Sequence, residues 1–215
     1  MRSTLGRPGG DTLNCVAQLM SDHWDIDAMC SILEAALERM EHGGDIDRQM
    51  LSGILLFFDR FVDCSHHVKE ERVLFPLLRH AGVQPAAVVE TLVAQHAEDR
   101  ALLAELAAML EQLPRASSDR QNPFVIAGRR YIASVRDHLR MEKERLPGMC
   151  AAVVQPPQDD SLCHQFAIIE RSAIGATGRE WYNQVIADYR DIVATWGSAF
   201  DVPPGHTRKP TNTSG

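Results

Sequence analysis

The feature that most restricts the fold of this chain is a set of four long helical patterns in its N-terminal two thirds. Within each pattern, apolar side chains recur at alternating three- and four-residue intervals, as on the buried face of an amphipathic helix. The patterns extend from Asp11 to Gly43-Gly44, from Asp45 to Gly82, from Pro85 to Pro114, and from Asn122 to Pro147-Gly148. Short breaks between helices favour antiparallel neighbours. The sequence therefore predicts an all-α fold built on an up-down-up-down four-helix bundle.

Residues at the predicted helix starts agree with these boundaries. Asp11, Asp45 and Asn122 stand where a side-chain oxygen can accept a hydrogen bond from the first free backbone N–H groups of a helix. Pro123 follows Asn122 at the first helical position, where its missing N–H group costs nothing. We therefore expect these three residues to cap their helices.

The sequence changes character after the four patterns. Gln155-Pro156-Pro157 interrupts the helix, and apolar positions then resume at Leu162, Phe166 and Ile169. After two glycines, heptad spacing returns at Tyr182, Val185, Tyr189, Ile192 and Trp196. We expect a disordered lead-in at 1–10, the bundle at 11–150, two accessory C-terminal helices packed on the bundle at 151–200, and a disordered tail at 201–215.

Charge and hydropathy argue against two classes of partner. The 215 residues carry a formal net charge of -7, and no basic tract is longer than Arg129-Arg130, so we expect no nucleic-acid partner. No apolar run approaches the ~20 residues of a membrane helix, and residues 1–10 lack a hydrophobic signal segment.

The five cysteines include no C-x-x-C pair, which is typical of reduced, buried thiols. We therefore expect a cytoplasmic protein without a membrane partner.

Each helical pattern has a histidine near its middle, in phase with the apolar positions: His23, His66, His96 and His138. Glu70 follows His66 by four residues and Glu142 follows His138 by four, which places each pair side by side on its helix. Burying so many titratable groups without partners would cost several kcal/mol for each group. A metal ion removes that cost by coordinating them. These six residues therefore predict a metal centre inside the bundle.

The types of donor indicate which metal to expect. Imidazole and carboxylate without thiolate suit iron or manganese, with zinc as the alternative. Structural zinc takes about four ligands, often including cysteine, and six ligands exceed that number. Six ligands fit two ions that share bridging carboxylates and leave positions open for an exogenous ligand. The sequence therefore predicts a two-metal centre that binds small molecules.

Several stretches resemble the hemerythrin-like proteins of the HHE cation-binding family. They are Asp22-His23-Trp24-Asp25-Ile26, His66-His67-Val68-Lys69-Glu70-Glu71-Arg72-Val73-Leu74-Phe75-Pro76, Gln95-His96-Ala97-Glu98-Asp99-Arg100, and Tyr131 with His138-Leu139-Arg140-Met141-Glu142-Lys143-Glu144. The second stretch is the most specific, and the resemblance covers residues 12 to 150. It implies a four-helix bundle around two iron ions with an oxo or hydroxo bridge. By the same resemblance, His23 and His66 hold one iron, His96 and His138 hold the other, and Glu70 and Glu142 bridge them.

Two positions depart from the oxygen-carrying members of that family. Those members have a second histidine one turn after the third-helix ligand, where this chain has Arg100, and they place the last carboxylate five residues after its histidine rather than four. A bacterial subgroup is similar to this chain and has a tyrosine two turns before the last histidine, here Tyr131. We expect Arg100 to stabilise a bound anion. Tyr131 is expected to ligate iron or to hydrogen-bond a bound peroxide, with a buried core tyrosine as the alternative.

The adjacent histidines in the second helix leave two pairings open. His66 lies on the apolar face of its helix, whereas His67 lies on the polar side, and Glu71 follows His67 as Glu70 follows His66. The apolar face and the family pattern both favour His66 with Glu70. The alternative pairing, His67 with Glu71, is then expected to serve neither metal. Three acidic residues are candidates to orient the imidazoles from outside: Asp63, Glu98 and Asp99.

A redox-active iron pair with open positions favours chemistry with small oxygen-derived molecules. We expect peroxide decomposition of a peroxidase or catalase type, as in a response to oxidative stress, with peroxide, dioxygen and nitric oxide as the small-molecule partners. The alternative is an oxygen or iron sensing or binding module without turnover. In that case the accessory helices would contact a protein partner.

Overall fold

The computed structural model describes residues 13–82, 86–113 and 122–197, which are helical apart from short connections. The α-helices are α1 (Asn14–Glu41), α2 (Arg48–Phe57), α3 (Phe75–His80), α4 (Ala86–Gln112), α5 (Pro123–Ala151), α6 (Pro156–Ile174) and α7 (Gly178–Ala194). Two π-helical segments, π1 (Phe58–His67) and π2 (Glu70–Leu74), join α2 to α3 without a break. The predicted all-α fold is confirmed. In these ranges, no helix has both the length and the hydrophobicity needed to cross a membrane.

Helix α5 begins where the sequence predicts and ends later. The side chain of Asn122 accepts a hydrogen bond from the backbone N–H of Phe124 at 3.0 Å, and a proline occupies the first turn. The predicted end at Pro147-Gly148 is wrong, because the helix continues to Ala151. The proline removes one backbone hydrogen bond, but Cys150 is buried in an apolar cluster and holds the last turn against the bundle.

The second helix starts later than the sequence predicts. Asp47 is its cap, and the carboxylate of Asp47 accepts a hydrogen bond from the backbone N–H of Gln49 at 2.8 Å. The predicted cap, Asp45, lies before the helix, where its backbone carbonyl accepts a hydrogen bond from Arg39 Nε at 2.9 Å. Several other predicted features lie outside the described residues: the cap Asp11, the helix ends at Pro85 and Pro114, the lead-in 1–10 and the tail 201–215.

Two apolar clusters fill the bundle, one toward each end. The larger contains residues from α2, π1 and α7, from the C-terminal parts of α1 and α4, and from the first half of α5. The smaller contains residues from the opposite parts of α1, α4 and α5, together with π2, α3 and α6. Between them lies a layer of buried polar side chains: His23, His66, Glu70, His96, His138 and Glu142. The bundle therefore brings the residues of the predicted metal centre to one level.

The accessory helices pack on the bundle and extend both clusters. On α7, the ring of Tyr182 packs edge-on against Phe57 and Phe61, with ring centroids 5.4 and 5.7 Å apart. On α6, Leu162 and Phe166 are buried in the smaller cluster. Because these helices cover otherwise apolar surface, they form part of the same hydrophobic core.

An acidic residue of α6 completes the start of α1. The carboxylate of Asp159 accepts hydrogen bonds from the backbone N–H groups of Asn14 and Cys15, both at 2.8 Å. The first N–H groups of a helix have no partner within the helix itself. Burial opposes ionisation of Asp159, but these backbone donors outweigh it and hold the pKa of its carboxyl below the usual range.

We expect the Asp159→Ala substitution to lower the free energy of unfolding by about 1 to 2 kcal/mol, the loss typical of a helix cap. The neighbouring Asp160 is exposed, so Asp160→Ala is the matched control and should change stability by less than about 0.5 kcal/mol. Urea unfolding of the two metal-free variants measures the difference. Equal losses would mean that the carboxylate of Asp159 contributes nothing to α1.

Candidate metal centre

The six predicted ligands converge in the polar layer between the apolar clusters. They form two groups of four that share both glutamates: His23, His66, Glu70 and Glu142 in one, and Glu70, His96, His138 and Glu142 in the other. Within each group, one donor atom from every residue lies within 4.8 Å of all the others. Each of the six residues is 1% exposed or less. This arrangement suits two neighbouring cations that share the carboxylates.

The carboxylates lie between the two sets of imidazoles. Oε1 of Glu70 is 3.8 Å from Nε2 of His66, and its Oε2 is 3.3 Å from Nε2 of His96. Oε2 of Glu142 also reaches both sets, with Nε2 distances of 3.0 Å to His23, 3.7 Å to His66 and 3.3 Å to His138. Each glutamate is therefore placed to serve both groups.

His67 also joins the site, and the prediction that it faces away from the metal centre is wrong. Its side chain is buried, its ring stacks on that of His96 with centroids 3.8 Å apart, and it forms a third donor group with His96 and His138. His67 ends the π-helical segment π1. Bonding between residues five apart widens each turn, so neighbouring side chains diverge less than in an α-helix and both adjacent histidines face inward.

Glu71 does not follow His67 into the interior. Its Oε1 accepts a hydrogen bond from Nδ1 of His96 at 2.7 Å, and its side chain remains partly exposed. The two residues of the alternative pairing, His67 and Glu71, therefore lie in different places. His67 lies among the donors, whereas Glu71 holds His96 from outside.

Three of the five imidazoles are held by hydrogen bonds at Nδ1, opposite the Nε2 atoms near the glutamates. The outer partners are Oδ2 of Asp22 for His66 at 3.2 Å, Oε1 of Glu71 for His96 at 2.7 Å, and Oε1 of Gln95 for His138 at 3.4 Å. Such partners fix the orientation of a ligating ring. None of these three contacts is predicted from the sequence, although Asp22 and Gln95 each precede a candidate ligand directly in the chain.

The three acidic residues expected to orient the imidazoles have different positions. Asp63 lies near His67, with its Oδ1 3.5 Å from Nδ1 of that ring. Asp99 is buried and accepts a hydrogen bond from the hydroxyl of Ser134. Glu98 is exposed to solvent. Of these three residues, Asp63 is therefore the one placed within ion-pair distance of an imidazole.

The two residues expected to act on a bound molecule differ in their surroundings. The guanidinium of Arg100 pairs with Asp63 and Glu71, so it contacts the site through carboxylates that themselves touch the imidazoles. Tyr131 is buried in the larger apolar cluster, with its ring edge-on to Phe58 at a centroid distance of 4.9 Å. Burial raises the pKa of Tyr131 well above 10.

Many interior-facing polar atoms have no hydrogen-bond partner in the described chain. They include Nε2 of His23, His66, His96 and His138, and both carboxylate oxygens of Glu70 and Glu142. A buried polar atom without a partner costs about 1 to 3 kcal/mol. Lone pairs of imidazoles and carboxylates that converge on one small volume are what a bound cation requires. The residues present therefore fit a metal centre.

Two of the imidazoles bind protons tightly in the metal-free protein. Burial opposes a charge on His66, but Glu70, Asp22 and Glu142 outweigh it and raise the pKa of His66 to about 10. The same balance between burial and neighbouring glutamates raises the pKa of His96 to about 9. In the metal-free protein, each of these rings therefore binds a proton where it would otherwise bind a cation.

His67 and the two glutamates differ in the charge states that their surroundings favour. Burial and the neighbouring imidazoles of His96 and His138 lower the pKa of His67 well below 6.5, so its ring is neutral and able to donate a lone pair. Burial opposes the charge on Glu142, but the surrounding imidazoles outweigh it and lower its pKa. Burial and the charge of Glu142 raise the pKa of Glu70. The layer thus combines neutral and charged donors, as in a site for a multivalent cation.

Comparison with known families agrees with this geometry. A family model described as the hemerythrin HHE cation binding domain matches residues 14–150, from the start of α1 almost to the end of α5. No curated protein matches the chain significantly. The matched segment is more than half of the chain and contains every residue of the donor groups. The chain therefore belongs to the hemerythrin HHE cation-binding family.

Proposed function

We propose that this chain is a non-haem di-iron protein that binds and decomposes peroxide. The observation that supports it is the position of Glu70 and Glu142 between two sets of buried imidazoles. One iron would be held by His23 and His66, the other by His67, His96 and His138, and both by the two glutamates. An oxo- or hydroxo-bridged iron pair is the proposed cofactor.

The donor types support iron over a structural zinc ion. The three donor groups consist of imidazoles and carboxylates, and none of the cysteines takes part in them. Structural zinc sites are tetrahedral and often use thiolates, whereas mixed nitrogen and oxygen donors in larger number suit non-haem iron. Seven protein ligands also exceed what a single ion of either metal can accept.

When bound, the iron pair supplies two redox centres that each exchange one electron. In peroxide decomposition, one hydrogen peroxide loses two electrons and two protons and leaves as dioxygen, while a second gains them and leaves as two waters. The protein excludes bulk solvent from this exchange, since the donor residues are buried between two apolar clusters. Glu71 accepts the Nδ1 hydrogen bond of His96, which keeps the proton at Nδ1 and directs the lone pair of Nε2 inward.

A groove of about 430 Å³ lies beside the second set of imidazoles and offers a side of approach for small molecules. Leucines and alanines of α2 and α4 form half of its lining, and the polar half includes Asp63 and Arg100. Both residues contact groups that touch the imidazoles of His67 and His96. Arg100 then acts as a positioning residue through Glu71.

Metal analysis and peroxide consumption test the proposal together. We expect about two iron ions per chain, the number the shared glutamates support, and measurable peroxide loss by the iron-loaded protein. His96→Ala removes a donor and should lower the rate at least about tenfold. His164 is exposed on α6, so His164→Ala is the matched control and should keep the full rate. One zinc ion per chain, or an iron-loaded protein that leaves peroxide unchanged, would overturn the proposal.

An oxygen or iron sensing or binding module is the second candidate. The observation that favours it is the hydrogen bond from Nδ1 of His66 to Asp22, which also contacts Arg179 of the accessory helix α7. A change at the metal would reach the accessory helices through these bonds and alter contact with a protein partner. A reduced protein that forms a stable, reversible dioxygen or nitric oxide adduct and ignores peroxide would favour this role.

A further inference from the structure

A partly buried network of charged side chains lies behind His66, on the side away from the glutamates. Asp22 is its hub and is 1% exposed. Oδ2 of Asp22 accepts hydrogen bonds from Nδ1 of His66 at 3.2 Å and from Nζ of Lys69 at 2.9 Å. Its Oδ1 accepts a hydrogen bond from Nη2 of Arg179 at 2.6 Å. Asp22 therefore joins an imidazole of the metal centre to two cations.

The network is closed by Glu170 of α6. Its Oε2 accepts a hydrogen bond from Nζ of Lys69 at 2.7 Å, and its Oε1 accepts one from Nε of Arg179 at 2.8 Å. Nη1 of Arg179 also lies 3.5 Å from Oδ2 of Asp25. Each cation thus contacts at least two carboxylates, which compensates for the burial of Lys69 and the partial burial of Arg179.

Two members of this network come from outside the family domain. Glu170 and Arg179 belong to α6 and α7, whereas the family model ends at residue 150. Lys69 is 1% exposed and precedes Glu70, so the contacts of Glu170 reach the helix turn that carries a shared glutamate. The accessory helices therefore contribute charged groups to the surroundings of the metal centre as well as apolar side chains to the core.

We propose that Arg179 and Glu170 are positioning residues for the metal centre, holding Asp22 against His66 and thereby fixing that imidazole and tuning the metal it holds. The inference rests on the proposed function, since it requires a metal at His66. A residue that orients a ligand contributes to metal affinity without touching the metal. Arg179 and Glu170 carry opposite charges and flank the same hub, so removing each has a different electrostatic effect on the metal.

The test compares Arg179→Gln and Glu170→Gln in the full chain loaded with iron. Both should release iron to a chelator faster, by about 3- to 10-fold, less than the 10- to 100-fold loss of affinity typical of residues in direct contact with a ligand. The reduction potential of the centre should fall in Arg179→Gln, which loses a positive charge, and rise in Glu170→Gln, which loses a negative one. Arg179→Lys keeps the charge and should restore most of the potential.

Matched controls come from ion pairs away from the centre. Arg129 pairs with Glu41 between α1 and α5, and Glu90 pairs with Arg79 at the surface. Arg129→Gln and Glu90→Gln should leave both the potential and the release rate unchanged. A lower melting temperature for Arg179→Gln and Glu170→Gln with potentials equal to those of the controls would overturn the inference and leave a purely structural network. Failure of the unaltered protein to bind iron would instead refute the proposed function.

Discussion

The Glu70→Ala protein should hold less than about one iron ion per chain, because it loses a carboxylate placed between both sets of imidazoles. Removing it takes a donor from each of the two metals and leaves their charges without a shared counter-ion. Elemental analysis after loading with excess iron and desalting measures the loss. Glu142→Ala should behave similarly, since Oε2 of Glu142 lies near three imidazoles.

Glu71→Ala is the matched control for Glu70→Ala, one residue away on the same helix. Glu71 contacts only the outer nitrogen of His96 among the imidazoles that the described chain brings together. Its loss should weaken metal affinity by about 10- to 100-fold while leaving close to two iron ions at saturation. His67→Ala should lose more iron than Glu71→Ala, because His67 is buried among the donors. Equal iron contents in Glu70→Ala and Glu71→Ala would reverse this assignment.

The second large expected effect is a loss of protein stability with rising pH in the metal-free protein, which reverses when metal is bound. In the metal-free protein, His66 has a pKa of about 10 and His96 a pKa of about 9, both above the ordinary 6.5. Groups with raised pKa values stabilise the fold fully below the unfolded pKa, and that contribution disappears as pH rises through the folded values. We therefore expect the free energy of unfolding of the metal-free protein to fall by about 1 kcal/mol or more per pH unit between about pH 7 and pH 8.5.

The iron-loaded protein should show no such decrease. Its imidazoles are neutral and coordinated, and metal binding releases protons, so affinity for the metal rises with pH. Because metal bound to a site absent from the unfolded chain contributes to folding, the loaded protein should also melt at a higher temperature. Thermal unfolding of both forms across this pH range measures the divergence. Parallel curves would mean that His66 and His96 are not held by the neighbouring carboxylates.

Six of the seven donor residues can be predicted from the sequence because helical periodicity decides what is buried. A histidine in phase with an apolar stripe enters the core wherever that stripe packs, and a glutamate four residues later shares its face. His67 is the exception, since it lies at the end of a π-helical segment. A period of 3.6 residues places it on the wrong face, and no composition signal in the segment reveals the wider turn.

The charged residues around the donors are less predictable, for a different reason. Asp22 meets Lys69 across 47 residues and Arg179 across 157, so their proximity depends on how the accessory helices dock. Spacing along one helix contains no information about such contacts. The predicted acidic partners Glu98 and Asp99 are close in sequence to His96, but Glu98 is exposed and the carboxylate of Asp99 accepts a hydrogen bond from Ser134.

The cap that Asp159 provides for α1 has a consequence for how the chain matures during translation. The backbone N–H groups of Asn14 and Cys15 bond to the carboxylate of Asp159, which is synthesised 144 or more residues later. At a synthesis rate of about 5 to 20 residues per second, that delay is roughly 7 to 29 s. During this time the first turn of α1 is hydrated and frayed, and the nascent helix is held by its later turns alone. The cap of α1 therefore forms only after the whole four-helix bundle that precedes Asp159 has been synthesised.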